Sequence, residues 1–160
     1  SGLRRFEPIS HLKRIRIHIR IPVVLPARMT EKLNTLLAQT NKQVVLVLHC
    51  NHPNELNEEI QFNCLALQRQ GVTLLNQAVL LQGINDDAET LIALSEKLFA
   101  CGVLPYYLHL LDKARGTAHF EVGESAARDL MANMQSKLPG YLVPKLVKEI
   151  PQGEAKQPVC

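Results

Sequence analysis

The chain has 160 residues, 46% of them hydrophobic and 21% charged, with a formal net charge of +3. That balance fits one soluble globular domain; it is too weakly basic to argue for nucleic acid, and no nucleic-acid-binding signature appears. No apolar run reaches the roughly 18 residues a membrane span needs, and the opening SGLRRFEPIS lacks the apolar core of a signal peptide and reads as a cut point.

The first predicted element is the strand IRIHI (15–19), which exits at His18 and Arg20 into RIPVVLPAR. A helix is predicted from Met29 to Gln39. The second strand, VVLVLH (44–49), exits through His49, Asn51 and His52 in HCNHPNE. A helix from Asn54 to Gln70 follows, with Asn54 as its N-cap after Pro53 and Gly71 as its stop. The third strand, LLNQAVLL (74–81), carries Asn76 and Gln77 and exits into QGINDD. The next helix runs from an Asp86 cap to Cys101 and stops at Gly102. The fourth strand, YYLHLL (106–111), runs out at Asp112, with His119 beyond it. A last helix spans Gly123 to Lys137, before Pro139-Gly140, and the extended stretch YLVPKLVKEIP follows.

Strands recur about every 30 residues with helices between them, the βα unit of a parallel sheet. The fold class is therefore α/β: a partial (βα) barrel of about four βα units with parallel strands, about half of a full barrel. Half a barrel leaves strand 15–19 without an upstream neighbour. Its edge is expected to be covered by SGLRRFEPIS or by a second chain. Of the four cysteines, Cys64 falls on the helical stripe Leu56, Ile60, Cys64, Leu67, and Cys101 on Leu91, Leu94, Leu98, Cys101. Both read as small core residues, and free buried thiols suit a reducing cytoplasm.

Parallel βα folds bind ligands at the carboxyl ends of their strands. Polar or titratable groups sit at all four exits, and Asn76 and Gln77 interrupt an apolar strand. Adjacent strand residues face opposite sides, so at least one of these amides must be buried and needs partners. His49 and His52, three apart, make a weak metal motif.

The runs HCNHPNELNEE, GVTLLNQAVLLQGINDDAETL, GVLPYYLHLLDKARGTAHF and GYLVPKLVKEIP, in that order, resemble the C-terminal half of the lysine 2,3-aminomutase family. The branch they resemble most is the elongation factor P (R)-β-lysine isomerases. The resemblance implies a cytoplasmic radical S-adenosylmethionine isomerase that also uses pyridoxal phosphate and a [4Fe–4S] cluster. It turns L-lysine into (R)-β-lysine, which a partner ligase attaches to elongation factor P. Residues 1–160 then form the C-terminal half of the barrel, with 141–160 as the segment carrying the cofactor lysine. The resemblance implies that Lys156 binds pyridoxal phosphate covalently, that Asp112 and Glu149 grip the ammonium of lysine, and that His49 and Gln77 contact S-adenosylmethionine. It also implies a homo-oligomer, with neither nucleic acid nor membrane as partner.

Two departures qualify these implications. The chain contains no CxxxCxxC, so the iron–sulfur ligands and the phosphate-binding arginines are expected outside it, and the chain alone is expected to be inactive. Aminomutases proper share a structural zinc with a cysteine of the partner subunit. Asp87 stands at that position, and no metal site is expected in this chain. A truncated binding or dimerisation module shares the same residues and stays open as a reading. So does a fragment of an unrelated aldolase-like barrel, although that would place a lysine inside an apolar strand, and Lys113 lies beyond Asp112.

Overall fold

The computed structural model describes residues 3–6, 14–19, 31, 34–35, 38–39, 43–111, 122–149 and 156–158. Among the described residues, seven strands form one sheet: β1 (Leu3–Phe6), β2 (Arg14–Ile19), β3 (Gln43–Leu48), β4 (Thr73–Leu80), β5 (Val103–Leu110), β6 (Lys145–Glu149) and β7 (Lys156–Pro158). Their order in space is their order in sequence. The steps from β2 to β6 are all parallel, while β1 on β2 and β7 on β6 are antiparallel. Helices α1 (Glu58–Arg69), α2 (Ala88–Ala100) and α3 (Glu124–Lys137) lie between the parallel strands from β3 to β6. The described residues between 31 and 39 are helical as well. Among the described residues, no helix is long and apolar enough to cross a membrane.

Strand alternation assigns the two faces. Val44, Leu46, Leu48, Leu74, Ala78, Leu80, Leu108, Leu110 and Leu146 pack with the helices in one core cluster. Val47 and Val147 are equally buried but stand outside that cluster, on the opposite face with Gln77 and His109. No described helix covers that second face. Sequential parallel strands with helices on one side form the repeating unit of a barrel. The described strands follow one another from β1 to β7, so the expected α/β class is observed as a sheet of sequential parallel strands with helices between them.

Leu3–Phe6, within the opening segment, supply the cover expected for the edge of β2, through antiparallel pairing of Leu3 with Ile19 and Phe6 with Ile17. Both expected helix caps move. The helix predicted from Asn54 opens instead as a single 3-10 turn, Pro53–Glu55, and α1 begins at Glu58. The reason is local competition. His52 Nδ1 accepts the Asn54 N–H at 3.1 Å, which places Asn54 inside the turn, and Asn57 caps α1 by accepting the Ile60 N–H at 2.9 Å. Asp86 is likewise occupied by the Gly83 N–H at 3.0 Å, so Asp87 caps α2 by accepting the Thr90 N–H at 2.9 Å. Gly71 and Gly102 end their helices with φ of 97° and 78°, a left-handed conformation that glycine adopts without steric cost.

Two amides and a carboxylate fasten the exits of β3 and β4 together. Asn85 is fully buried; its Oδ1 accepts the Leu81 N–H at 2.8 Å, and its Nδ2 donates to Asn51 O at 2.8 Å and Val79 O at 2.9 Å. Asn51 Oδ1 accepts the Val79 N–H at 2.9 Å, and Glu55 Oε1 accepts the N–H groups of Asn51 and His52 at 2.9 Å each. Replacing Asn85 with Ala strands one buried N–H and two carbonyls. It is expected to lower the unfolding free energy by about 2–4 kcal/mol, because each buried polar group left unmatched costs its desolvation. Urea titration measures this; the exposed Asn54→Ala is the control, and a comparable shift there would remove the special role of Asn85.

Candidate active site

The carboxyl ends of β3 to β6, on the face without helices, bring the candidate residues into rows. Leu48 pairs with Asn76, so His49, one residue on and half-buried, stands beside Gln77. Gln77 is 7% exposed and pairs with Tyr107, which pairs in turn with Lys145. The next row is Val79, His109, Val147 and Pro158. One step further, Glu149 of β6 stands opposite Lys156 of β7. The structure thus makes neighbours of His49 and Gln77, and of Glu149 and Lys156, with Tyr107 and His109 of β5 between the two pairs. Asp112 lies outside the described residues, two positions past the end of β5.

Tyr107 and His109 were not singled out from the sequence, although the alternation Tyr107, His109, Leu111 in PYYLHLL was there to read. What the alternation hides is a bulge. Pairing passes from Asn76–Pro105 to Gln77–Tyr107, leaving Tyr106 as an extra residue. Pro105 has no N–H to give a ladder, which suits an interruption there. The Tyr106 and Tyr107 rings come to 4.1 Å between centroids, and Tyr107 meets His109 nearly edge-on at 5.8 Å. The wall between the two candidate pairs is therefore aromatic.

Of the two buried amides of β4, Asn76 faces the helices and is not part of this wall. Its side chain takes both main-chain groups of Cys50, accepting the N–H at 2.9 Å and donating to the carbonyl at 3.0 Å. The three described thiols also lie on the helix side. Burial pushes Cys50 and Cys64 up to about 12, with the Glu55 carboxylate adding to the effect at Cys50, and burial raises Cys101 as well. Thiols held protonated in a leucine-rich core do not fit an iron–sulfur cluster, which needs thiolates. Native-state alkylation at about pH 8 should leave Cys50 and Cys64 untouched, since a thiol titrating near 12 is ionised only about once in 10⁴ there. The folded pKa values of Cys50 and Cys64 exceed the ordinary 9.0, so their contribution to stability is intact below pH 9 and is lost as pH rises toward 12. Rapid labelling of Cys64 in the native chain would contradict this burial.

Asp87 serves as a helix cap: hydrogen bonds from the Thr90 N–H and then its hydroxyl hold the carboxyl below its usual value. His49 and His52 gather no third ligand, and among the described residues no three His, Cys, Asp or Glu side chains could share a metal ion. A cleft of about 610 Å³ lined by Met131, Leu138, Val143 and Lys145 opens between the end of α3 and the start of β6. It lies at the amino end of that strand, away from the wall where parallel folds place ligands.

No family model matches the chain. Individual proteins do. The chain is 51% identical over 148 residues, 92% of its length, to L-lysine 2,3-aminomutase of Haemophilus influenzae, and 50% identical over 157 residues, 98% of its length, to L-lysine 2,3-aminomutase of Escherichia coli K12. The chain belongs to the lysine 2,3-aminomutase family. The enzyme of the same name from Clostridium subterminale, 38% identical over 157 residues, extends the relationship. The chain spans 44%, 46% and 38% of the lengths of these three relatives, so it corresponds to less than half of each aminomutase.

Proposed function

We propose that residues 1–160 are the C-terminal part of a lysine 2,3-aminomutase that converts L-lysine to (R)-β-lysine for the modification of elongation factor P, with 141–160 as its cofactor-lysine segment. The observation that carries this reading is the 50% identity, along 98% of the chain, to a protein named L-lysine 2,3-aminomutase. The described donors on the helix-free wall, imidazoles at His49 and His109 and an amide at Gln77, suit a nucleoside. Lys156, opposite Glu149 in the β6–β7 register, supplies the amine an aldehyde cofactor needs. When bound, pyridoxal phosphate and S-adenosylmethionine supply the carbonyl and radical chemistry that lets an amino group move between adjacent carbons.

In this reading the chain's own residues bind and orient. Lys156 offers its amine to the pyridoxal phosphate aldehyde, which requires the neutral form and hence partial shielding from water. Asp112 and Glu149 take the distal ammonium of lysine in charge-assisted hydrogen bonds. His49 and Gln77 orient S-adenosylmethionine at the exits of β3 and β4. The [4Fe–4S] cluster belongs to protein outside this chain, and no step here is assigned to it.

The test is an anaerobic assay of the full-length protein with lysine, pyridoxal phosphate, S-adenosylmethionine and a reductant, with chiral separation of the products. (R)-β-lysine is expected, and a partner ligase should transfer it to elongation factor P. Deoxyadenosine release without any β-lysine would remove the aminomutase assignment. β-Lysine that the ligase does not accept would remove only the link to elongation factor P.

A further inference from the structure

Main-chain pairing between β3 and β4 ends at Leu48 and Asn76. Val79 directs its N–H to Asn51 and its carbonyl to Asn85. The odd-numbered residues of β4 therefore turn their main-chain groups toward the β3 side. In an unbroken parallel ladder of this phase, the Cys50 N–H would reach the Gln77 carbonyl. It goes instead to Asn76 Oδ1, while Asn76 Nδ2 holds the Cys50 carbonyl. Asn76 is 2% exposed and on the helix side, and Cys50 joins the helix-side core. The chain beyond β3 is thus drawn off the sheet toward the helices. This opens a notch on the opposite face, with His49 on one lip, Gln77 on the other, and the Gln77 carbonyl released from its ladder partner.

We propose that Asn76 is a positioning residue for the nucleoside cofactor: it touches no ligand, and by holding the Cys50 peptide on the helix side it sets the spacing of His49 and Gln77 across the notch. The proposal rests on the assignment of His49 and Gln77 to S-adenosylmethionine made above. A merely structural amide would affect all ligands alike; a positioning amide affects one.

The discriminating variant is Asn76→Asp in the full-length protein. It keeps an acceptor for the Cys50 N–H but, when ionised, loses the donor to the Cys50 carbonyl. Isothermal titration at about pH 8 should show S-adenosylmethionine binding weakened about tenfold or more, with lysine KM and bound pyridoxal phosphate within about twofold of wild type. Lowering the pH should restore the affinity, because a protonated carboxyl donates and accepts as the amide does. Unchanged S-adenosylmethionine affinity, or equal losses for both ligands, overturns the proposal. If Asn76→Asp does not fold, Asn51→Ala, which removes only the acceptor for the Val79 N–H, goes through the same titrations with the same expected split and the same overturning results. Should the wild-type protein bind no S-adenosylmethionine, the functional reading fails, and nitrogen-15 NMR decides the positioning claim by itself. The His49 and Gln77 signals should move in the variant while that of Lys145 stays; unmoved His49 and Gln77 signals overturn it.

Discussion

Lys156→Ala in the full-length protein is expected to abolish retention of pyridoxal phosphate and to lower turnover by about 10³-fold or more, a loss near 4 kcal/mol in transition-state stabilisation. Borohydride reduction of the wild-type protein should lock the cofactor onto Lys156, and peptide mapping should find the adduct there. Two other lysines are close in sequence and are poor substitutes for physical reasons. Lys148 alternates with Val147 and Glu149, so it falls on the helix side, where its Nζ lies 3.7 Å from Glu124 of α3. Lys145 begins β6 and pairs in the row of Tyr107, at the far end of the strand from Glu149. An adduct on Lys145 or Lys148, or full activity in Lys156→Ala, would sink the assignment of Lys156 and leave the family membership standing.

Asp112→Asn should raise the KM for lysine by about 10- to 100-fold while pyridoxal phosphate loading stays at the wild-type level. The reason is the removal of one charge-assisted contact to an ammonium, worth roughly 1.5–3 kcal/mol. The chain reaches Asp112 directly from β5, whose Tyr107 and His109 line the wall between the two candidate pairs. Steady-state kinetics with lysine as the varied substrate measures the effect. An unchanged KM and turnover would take Asp112 out of the site.

The parallel framework was legible because its signals are local. Val44 to Leu48 and Leu74 to Leu80 read as buried strands from their apolar runs, and Gly71 and Gly102 marked helix ends that the structure puts at positive φ. The caps were misplaced by one to three residues because neighbouring side chains compete for the same N–H groups. The Asn54 N–H goes to His52 and the Asp86 carboxylate takes the Gly83 N–H, which leaves the capping to Asn57 and Asp87. The placement of His49 next to Gln77 follows from the Leu48–Asn76 register, which no single strand encodes. Tyr107 and His109 were read as strand core because a bulge at Tyr106 leaves no mark in composition. β7 left no local signal either: KQP becomes a strand only through its partner β6.

β7 has three residues and one neighbour, β6, and it closes the sheet at that margin. An element held by one short ladder opens at far lower free energy than a core strand paired on both sides. Lys156 is therefore expected to sit on the more readily opened element, whereas His49 and Gln77 stand at the exits of β3 and β4, each flanked by two strands. Amide exchange at Lys156 and Gln157 should proceed by sub-global opening that leaves β3 to β5 protected. The two halves of the proposed site would then differ in kind: one is a fixed floor, and the other can lift away and return without the domain unfolding.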